Sequence, residues 1–468
     1  MSETLPALHP RTLPPLVSGA LPLVGHAPQF LRDQLRLLER GYREHGEIFR
    51  LRLGRRPAIF LVGPERARWV FKQTDDQTLS IGPSLAFTRR LFGADFYFLA
   101  EPGEYQHQRE TLLPLFRARM AAGYLAIMDR HCVEFVARLG DSGTFDLPQE
   151  MNALVLGIIM EAFLGADFVR HMPPTVARDF RDFIRGLDPI TPGWVPAPHL
   201  LRAGRARDRL RRAVGELVCA RRRRPADPPD FLQELISARA LDGAPATDQW
   251  VVQMALGVTF AGHDSTTGHL SWSVIDLLQH PDELRKVLAE QDRILPEGTP
   301  LDLPTVHRMT CLDRALRETS RLRPVAPVML RRALRPIHID GCTIPEGADV
   351  FIAPVLSHRL PALFDAAYSY HPDRYLTDPG HATYLHGFGG GTHRCLGEPF
   401  ARLLTHVAVT RLLQHYDLSL ADPDPAPVRT PAFKGPRSPC RIDYQPRARF
   451  ASPPLLTQAP TRRAHHGR

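Results

Sequence analysis

Lysine is almost missing from this chain. Of 59 basic residues among 468, lysine stands only at Lys72, Lys286 and Lys434, so the net charge of +9 is carried by arginine. Such a bias weakens charge as a guide to partners. The run "ARRRRP" from Ala220 to Pro225 falls where a helix should end, and cations there meet the negative end of the macrodipole. A solvated helix end therefore outweighs a nucleic-acid patch, and no nucleic-acid partner is expected. Paired cysteines are missing too. Cys132, Cys219, Cys311, Cys342, Cys395 and Cys440 form no CxxC pair and keep no regular spacing, which argues against a disulfide framework or zinc ribbon and fits a reducing cytoplasm. No stretch reaches the roughly 18 consecutive apolar residues of a membrane span. The opening segment lacks the basic start and apolar stretch of a signal peptide. A soluble, cytoplasmic chain without a membrane anchor is expected. Internal repeats are absent.

What is present is enough apolar material, 43% hydrophobic and 8% aromatic residues, to bury a large core. Helical periodicity dominates from Leu31 onward, with short β-like runs at Glu47–Gly63 and Pro336–Pro354. The expected fold is mostly α with a small β portion, in a single large domain covering 31–445. A Pro-rich arm, 1–30, should lie extended against the body. A tail, 446–468, rich in Pro, Arg and small residues, should be disordered.

The stretch that carries chemistry is "HGFGGGTHRCLGEPFARLL", His386 to Leu404. A glycine-rich loop before a helix is often only a turn, and a free cysteine is often a small apolar filler. Against that, the first turn of a helix starting near Cys395 supplies unpaired N–H groups and a positive dipole end, which favour thiolate. Gly397 would let those amides approach, and His393 and Arg394 add positive potential. Zinc would need three further ligands; His381, His386 and His393 are near in sequence, but no second cysteine is. Phe388-x-x-Gly391-x-His393-x-Cys395-x-Gly397 resembles the haem-ligand signature of the cytochrome P-450 family. The resemblance implies the cytochrome P-450 fold, haem b (iron protoporphyrin IX) as cofactor, Cys395 as the metal ligand, Phe388 near the sulfur and His393 as donor to a haem propionate. Thiolate is needed there rather than imidazole because it pushes electron density toward O–O cleavage.

Three other stretches agree with it. Glu318 and Arg321 stand three apart on a helix, a spacing that usually makes a surface salt bridge. Followed by "RP" they resemble the family's E-x-x-R element, which implies a buried cluster completed by Arg374 in "YHPDRY". A long apolar helix spans about Asp248 to Pro281, with Thr247 as N-cap. Its middle breaks the rules of a good helix: Gly262 costs about 1 kcal/mol relative to Ala, and the polar residues after it compete for backbone bonds. A packing glycine beside a solvated turn is one reading. Ala261-Gly262-His263-Asp264-Ser265-Thr266 also resembles the family's oxygen-binding A-G-x-[D/E]-T-[T/S]. That implies room for O2 at Ala261 and Gly262, a helix opened for water by the hydroxyls, and an acid and an alcohol, Asp264 with Ser265 or Thr266, passing protons. Serine where threonine is usual keeps the hydroxyl but loosens its rotamers, so some uncoupling to peroxide is expected. Tyr105 and Arg109 resemble the aromatic-x-x-x-Arg pair that contacts haem propionates, and Arg331, or its neighbour Arg332, is the other propionate candidate.

The resemblance implies a haem-thiolate monooxygenase inserting one oxygen atom from O2 into a C–H bond of a fairly large lipophilic substrate. Electrons would come from NAD(P)H through a ferredoxin or flavodoxin with its reductase, and Arg109, Arg117, Arg119, Arg394 and Arg402 could steer that acidic partner. Candidate substrate-lining residues are Phe87, Phe92, Phe96, Phe260, Val328 and Met329, with a lid in "DPITPGWVPAPHLL" tipped by Trp194. The chain looks most like the branch containing the sterol 14α-demethylases. Asp264 stands where those enzymes usually carry histidine, however, and Leu85 where they carry tyrosine. A terpenoid, polyketide or other specialised metabolite is therefore the favoured substrate, with sterol demethylation second. An isomerase or dehydratase needing no O2, or a haem sensor, is disfavoured by the acid and alcohol pair.

Overall fold

The structure, a computed structural model, describes residues 13–447 apart from 55, 75–76, 83–84, 94–95, 98, 173–174, 188–190, 192–194, 297–298 and 429–434. The lid expected around Trp194, the start of the N-terminal arm and the tail beyond Arg447 lie outside the described residues.

The helix Asp248–Gln279 is the axis of the molecule. The Thr247 hydroxyl accepts from the Trp250 N–H at 3.2 Å, so the N-cap is where the sequence places it. The helix packs against the helices Leu147–Leu164, Pro198–Arg223, Thr310–Leu322 and Glu398–His415. A helix with neighbours on every side should be apolar or small all round. Between Val251 and Leu277 it is buried, mostly by apolar or small residues with Gln253, His269 and Asp276 as the larger polar side chains, except in the stretch Val258–Ser265, where burial lapses at Val258, Phe260, Ala261, Gly262, Asp264 and Ser265. One side of the central turn therefore faces space rather than protein. The helix Leu147–Leu164 is the one described helix long and apolar enough to cross a membrane by length and composition, and most of it is buried in this core.

The β portion forms three small sheets. Strands β1 (Ile48–Arg52), β2 (Pro57–Leu61), β3 (Leu79–Ser80), β5 (Met329–Ala333) and β8 (Asp349–Ile352) make a five-stranded sheet in the order β1-β2-β8-β5-β3. Only the β2–β8 pairing is parallel. β6 (Ile337–Ile339) and β7 (Cys342–Ile344) form a hairpin. Residues 14–17 run beside β1, with the Val17 N–H donating to the Arg50 carbonyl at 3.1 Å and the Arg50 N–H to the Pro15 carbonyl at 2.8 Å. The third sheet was not expected from the sequence. β10 (Arg441–Pro446) pairs on one side with β4 (Gly143–Asp146) and on the other with β9 (Tyr416–Leu420). Pro446, taken above as the start of the tail, is the last residue of that strand.

The arginine run also differs from expectation. Arg221 is buried, and its guanidinium reaches Asp230 at 3.0 Å and Asp167 at 3.2 Å, while Arg222 reaches Asp248 at 2.6 Å. The run ends a helix, as expected, but two of its arginines are fastening points rather than a solvated end.

The segment leading to the cysteine loop has little regular structure and is held by charge. Glu318 and Arg321 are 0% exposed and Arg374 2%. Arg321 grips both Glu318 carboxylate oxygens at 2.8 Å, and Arg374 Nε adds a third contact at 3.0 Å. The remaining donors go to carbonyls: Arg321 to His358, Ala367 and Ser369, and Arg374 to Asp365. The His371 N–H also donates to Glu318 at 2.9 Å. Every charge is paired and hydrogen-bonded, the condition under which a buried cluster is tolerated. Glu318→Gln leaves two buried guanidiniums without their anion. It should cost roughly 3–5 kcal/mol, read as a lower guanidinium-chloride midpoint at unchanged slope.

Candidate active site

The loop from Leu385 to Gly397 contains one short 3₁₀ turn, Gly391–His393, and the Cys395 N–H donates back to the Phe388 carbonyl at 2.9 Å. Gly391 adopts φ +60°, and a side chain on it or on Gly390 would collide with Phe71. The glycines thus press the loop onto the helix Pro64–Gln73. Cys395 is exposed, yet lost hydration is the largest influence on its thiol and pushes its pKa up. The thiol is thus open to solvent although protein surrounds it closely. Backbone N–H groups of Gly397 and Glu398, at the start of the helix Glu398–His415, and the nearby Arg109 charge pull the thiol the other way.

Around that sulfur the structure gathers Tyr97, Tyr105, Arg109 and His393. The Tyr105 hydroxyl donates to the Thr392 carbonyl at 3.2 Å and accepts from Tyr97 at 3.2 Å, and its ring lies 4.3 Å from that of His393. Arg109 donates to the Arg394 carbonyl at 3.0 Å and to Tyr97 at 3.4 Å. Burial raises the pKa of both tyrosines, so they stay neutral donors. Tyr97 was missed by the sequence reading, because "FYFL" reads as plain core. Of the two neighbouring arginines, Arg332 is paired with Asp349 across the sheet at 2.7 Å, whereas Arg331 is buried and bonded to Thr74 at 3.1 Å. Phe388 lies under the Arg402 guanidinium at 5.1 Å. Arg394 and Arg402 both pair with Glu398, at 2.7 and 3.1 Å, and Arg119 pairs with Glu234 at 3.2 Å, which trims the positive potential expected there. A cavity of about 410 Å³ reaches Tyr105 and His393 and is lined also by Ala86, Arg89, Leu99 and Leu334.

On the long helix, Ala261 is exposed and Asp264 and Ser265 partly so, whereas Thr266 and Thr267 are buried. Ser265 therefore shares the open face with Ala261, and Thr266 does not. The Ser265 hydroxyl donates to the Ala261 carbonyl at 3.1 Å. The helix is unbroken, so the expected opening by hydroxyls accepting backbone bonds is not found. At Gly262 a Cβ would stand 3.2 Å from Ile159 Cδ1 and near Phe163, so its missing side chain makes room for the helix Leu147–Leu164, while its half-buried backbone lies on the open turn.

Among the expected substrate residues, Phe92 and Phe96 are 1% and 2% exposed and stack at 4.1 Å, and Phe92 packs against Phe183 and Phe260. They are core. Phe260 is half-buried at the edge of the open turn, Phe87 is half-buried beside Ala86, and Val328 and Met329 are half-buried at the head of β5. Thiol, tyrosines, arginines and histidine together form a donor set suited to a flat dianionic metal complex: a soft ligand for the metal and hydrogen-bond donors for two carboxylates. The residues present therefore fit haem.

A sequence model of the cytochrome P450 family matches residues 14–440. The chain is similar to a sterol 14-demethylase of Arabidopsis thaliana, 28% identical over 89% of this chain and 88% of that one. It is also similar to a sterol 14alpha-demethylase of Mycolicibacterium vanbaalenii, 28% identical over 87% and 92%. A solved structure of cyanobacterial CYP120A1 bound to retinoic acid superposes with a TM-score of 0.82, at 25% identity over 93% of this chain and 100% of that one.

Two glycines of the long helix test this geometry. Gly262→Ala gains about 1 kcal/mol of helix propensity and asks only the flexible end of Ile159 to yield, so stability should hardly change. Gly257→Ala puts a Cβ 2.3 Å from the Phe96 ring and should cost about 1–3 kcal/mol through overpacking. Thermal unfolding of the two variants distinguishes them.

Proposed function

The chain belongs to the cytochrome P450 family and is a haem-thiolate monooxygenase supplied with electrons by redox partners, and on that premise we propose that it hydroxylates a fairly large lipophilic metabolite of the terpenoid or polyketide kind. The observation that carries the reading is the lapse of burial at Val258–Ser265 in an otherwise buried helix, which presents a small residue, an acid and an alcohol to one space. Haem iron with a thiolate ligand supplies the reductive activation of O2.

The chain's own residues have these parts. Cys395 holds the iron through sulfur, with the N–H groups of Gly397 and Glu398 stabilising its charge. Arg109, His393 and Arg331 would donate to the propionates, Tyr105 would join them only by releasing the Thr392 carbonyl, and Tyr97 holds Tyr105 and Arg109 in place. Phe388, near in sequence, would shield the sulfur, and the exposed Ala261 would leave space for O2. Asp264 and Ser265 hold and move protons; for Ser265 to donate outward its hydroxyl must leave the Ala261 carbonyl. Thr266 is too deeply buried to share this task. Phe260, Phe87, Val328 and Met329 supply apolar contact for the substrate.

Electrons come from a ferredoxin or flavodoxin with its reductase, for which the exposed Arg117, beside Arg119 partly neutralised by Glu234, offers positive charge. The six free cysteines support a reducing, cytoplasmic setting. Sterol 14α-demethylation is the second reading, supported by the names of the relatives and weakened by Asp264 and Leu85, where the resemblance calls for histidine and tyrosine. The retinoic acid bound in the cyanobacterial structure, a non-sterol lipid acid, supports a substrate pocket not confined to sterols.

Titration of the oxidised protein with terpenes, macrolides and sterols should give a spin-state shift with non-sterols, and turnover with a ferredoxin and its reductase should yield a product heavier by one oxygen. A binding shift and methyl loss with a 14α-methyl sterol alone would establish the second reading. Asp264→Asn should lower product formed per NADPH by at least about tenfold, with the difference appearing as peroxide; unchanged coupling would remove Asp264 from proton delivery.

A further inference from the structure

His263, the residue between the glycine and the acid, has no part in the function derived so far. It is 1% exposed, wedged between the long helix and two neighbours. Its Nε2 lies 3.3 Å from the backbone carbonyl of Asn152 on the helix Leu147–Leu164, and its Nδ1 lies 2.8 Å from Asp264 Oδ1. Phe180, on the helix Val176–Arg185, closes the site edge-on at 5.8 Å. Adjacent residues on a helix do not normally face one another, so this contact needs a reason.

Counting protons supplies one. A carbonyl only accepts, so Nε2 must carry a hydrogen. Nδ1 and Oδ1 at 2.8 Å also need a hydrogen between them, since two lone pairs at that distance repel. The pair therefore holds two protons, one fixed toward Asn152 and one bridging. We propose that His263 is the positioning partner and proton source of Asp264, so that the two side chains act as one proton-holding unit. This rests on the reading of Asp264 as a proton carrier.

The bookkeeping of the step is simple. The bridging proton moves from Nδ1 to Oδ1, leaving neutral imidazole and neutral acid. Rotation about the Asp264 Cβ–Cγ bond turns the O–H toward the open side, where the side chain keeps 37% of its surface. Loss of that proton leaves carboxylate beside neutral imidazole, and the repulsion of facing lone pairs draws a proton from solvent back to the bridge. Among the described residues the contacts of His263 are Asp264, the Asn152 carbonyl and the Phe180 ring, so Asp264 is the charged group bonded to it. Asp179, the acid nearest Phe180 in sequence, is held by Arg209 at 2.6 and 2.9 Å, and the contact from Leu147–Leu164 is the uncharged Asn152 carbonyl.

The test uses ¹⁵N-histidine-labelled holoprotein, reduced and bound to carbon monoxide so that it is diamagnetic, with His263→Gln assigning the signals. In the native protein Nδ1 of His263 should carry or share a proton, and in Asp264→Asn it should become a bare acceptor while Nε2 keeps its hydrogen. A bare Nδ1 in the native protein, or a signal indifferent to Asp264→Asn, overturns the proposal. A second readout separates proton supply from mere support. Glutamine can still donate to Asp264 but has no proton to release, so His263→Gln and His263→Leu should both lose about tenfold in product per NADPH. Native coupling in the glutamine variant overturns proton supply. If Asp264→Asn leaves coupling intact while the bridging proton is seen, the reading of Asp264 fails and the pair stands as structure alone.

Discussion

Glu318 has no access to water, and the placement of the cysteine loop depends on it. Its two oxygens receive Arg321, Arg374 and the His371 N–H, and the arginines in turn collect carbonyls from His358 to Ser369. One carboxylate thereby fixes an irregular segment that has no helix or sheet ladder of its own to hold it. Removing hydrophobic area would cost a few kcal/mol locally; removing this charge strands two cations at once. At the other end of the loop, Gly390 and Gly391 press the chain onto Phe71. Between these anchors the Cys395 loop is held in place without relying on the flexibility of a free loop.

The second constraint comes from the long helix. Its burial on all sides is what makes the short open stretch informative, because a polar turn with a glycine would otherwise be unremarkable. The side chains divide by direction. Ala261, Asp264 and Ser265 look into the open space, Gly262 and His263 toward Leu147–Leu164, and Thr266 and Thr267 into the core. A residue's chemistry is available only on the face where it can be reached, and of the two hydroxyls Ser265 is on the open face and Thr266 is buried.

Much of this was legible in the sequence for physical reasons. A cysteine at a helix start behind four glycines, a Glu/Arg pair followed by a second arginine, and a helix whose middle defies propensity are local patterns, and local patterns survive in one dimension. The long helix and its Thr247 cap were read correctly, as were the β-like runs that became β1, β2 and β6 to β8. What was lost is directional or long-range. The spacing of Gly262 reveals a missing side chain but not which neighbour fills the gap. Arg331 and Arg332 are alike until β5 pairs with β8 and sends one to Asp349 and the other to Thr74. The sheet of β4, β9 and β10 joins segments far apart in the chain, and Arg221 is buried only because Asp167 and Asp230 come from elsewhere.

The central claim is that the Cys395 sulfur binds haem iron. The direct measurement is the absorption spectrum of the reduced protein under carbon monoxide, compared with Cys395→His. Native protein should show the long-wavelength Soret band of thiolate ligation, and the variant should bind haem without it. A folded native protein that lacks the band, or a variant that keeps it, contradicts the account.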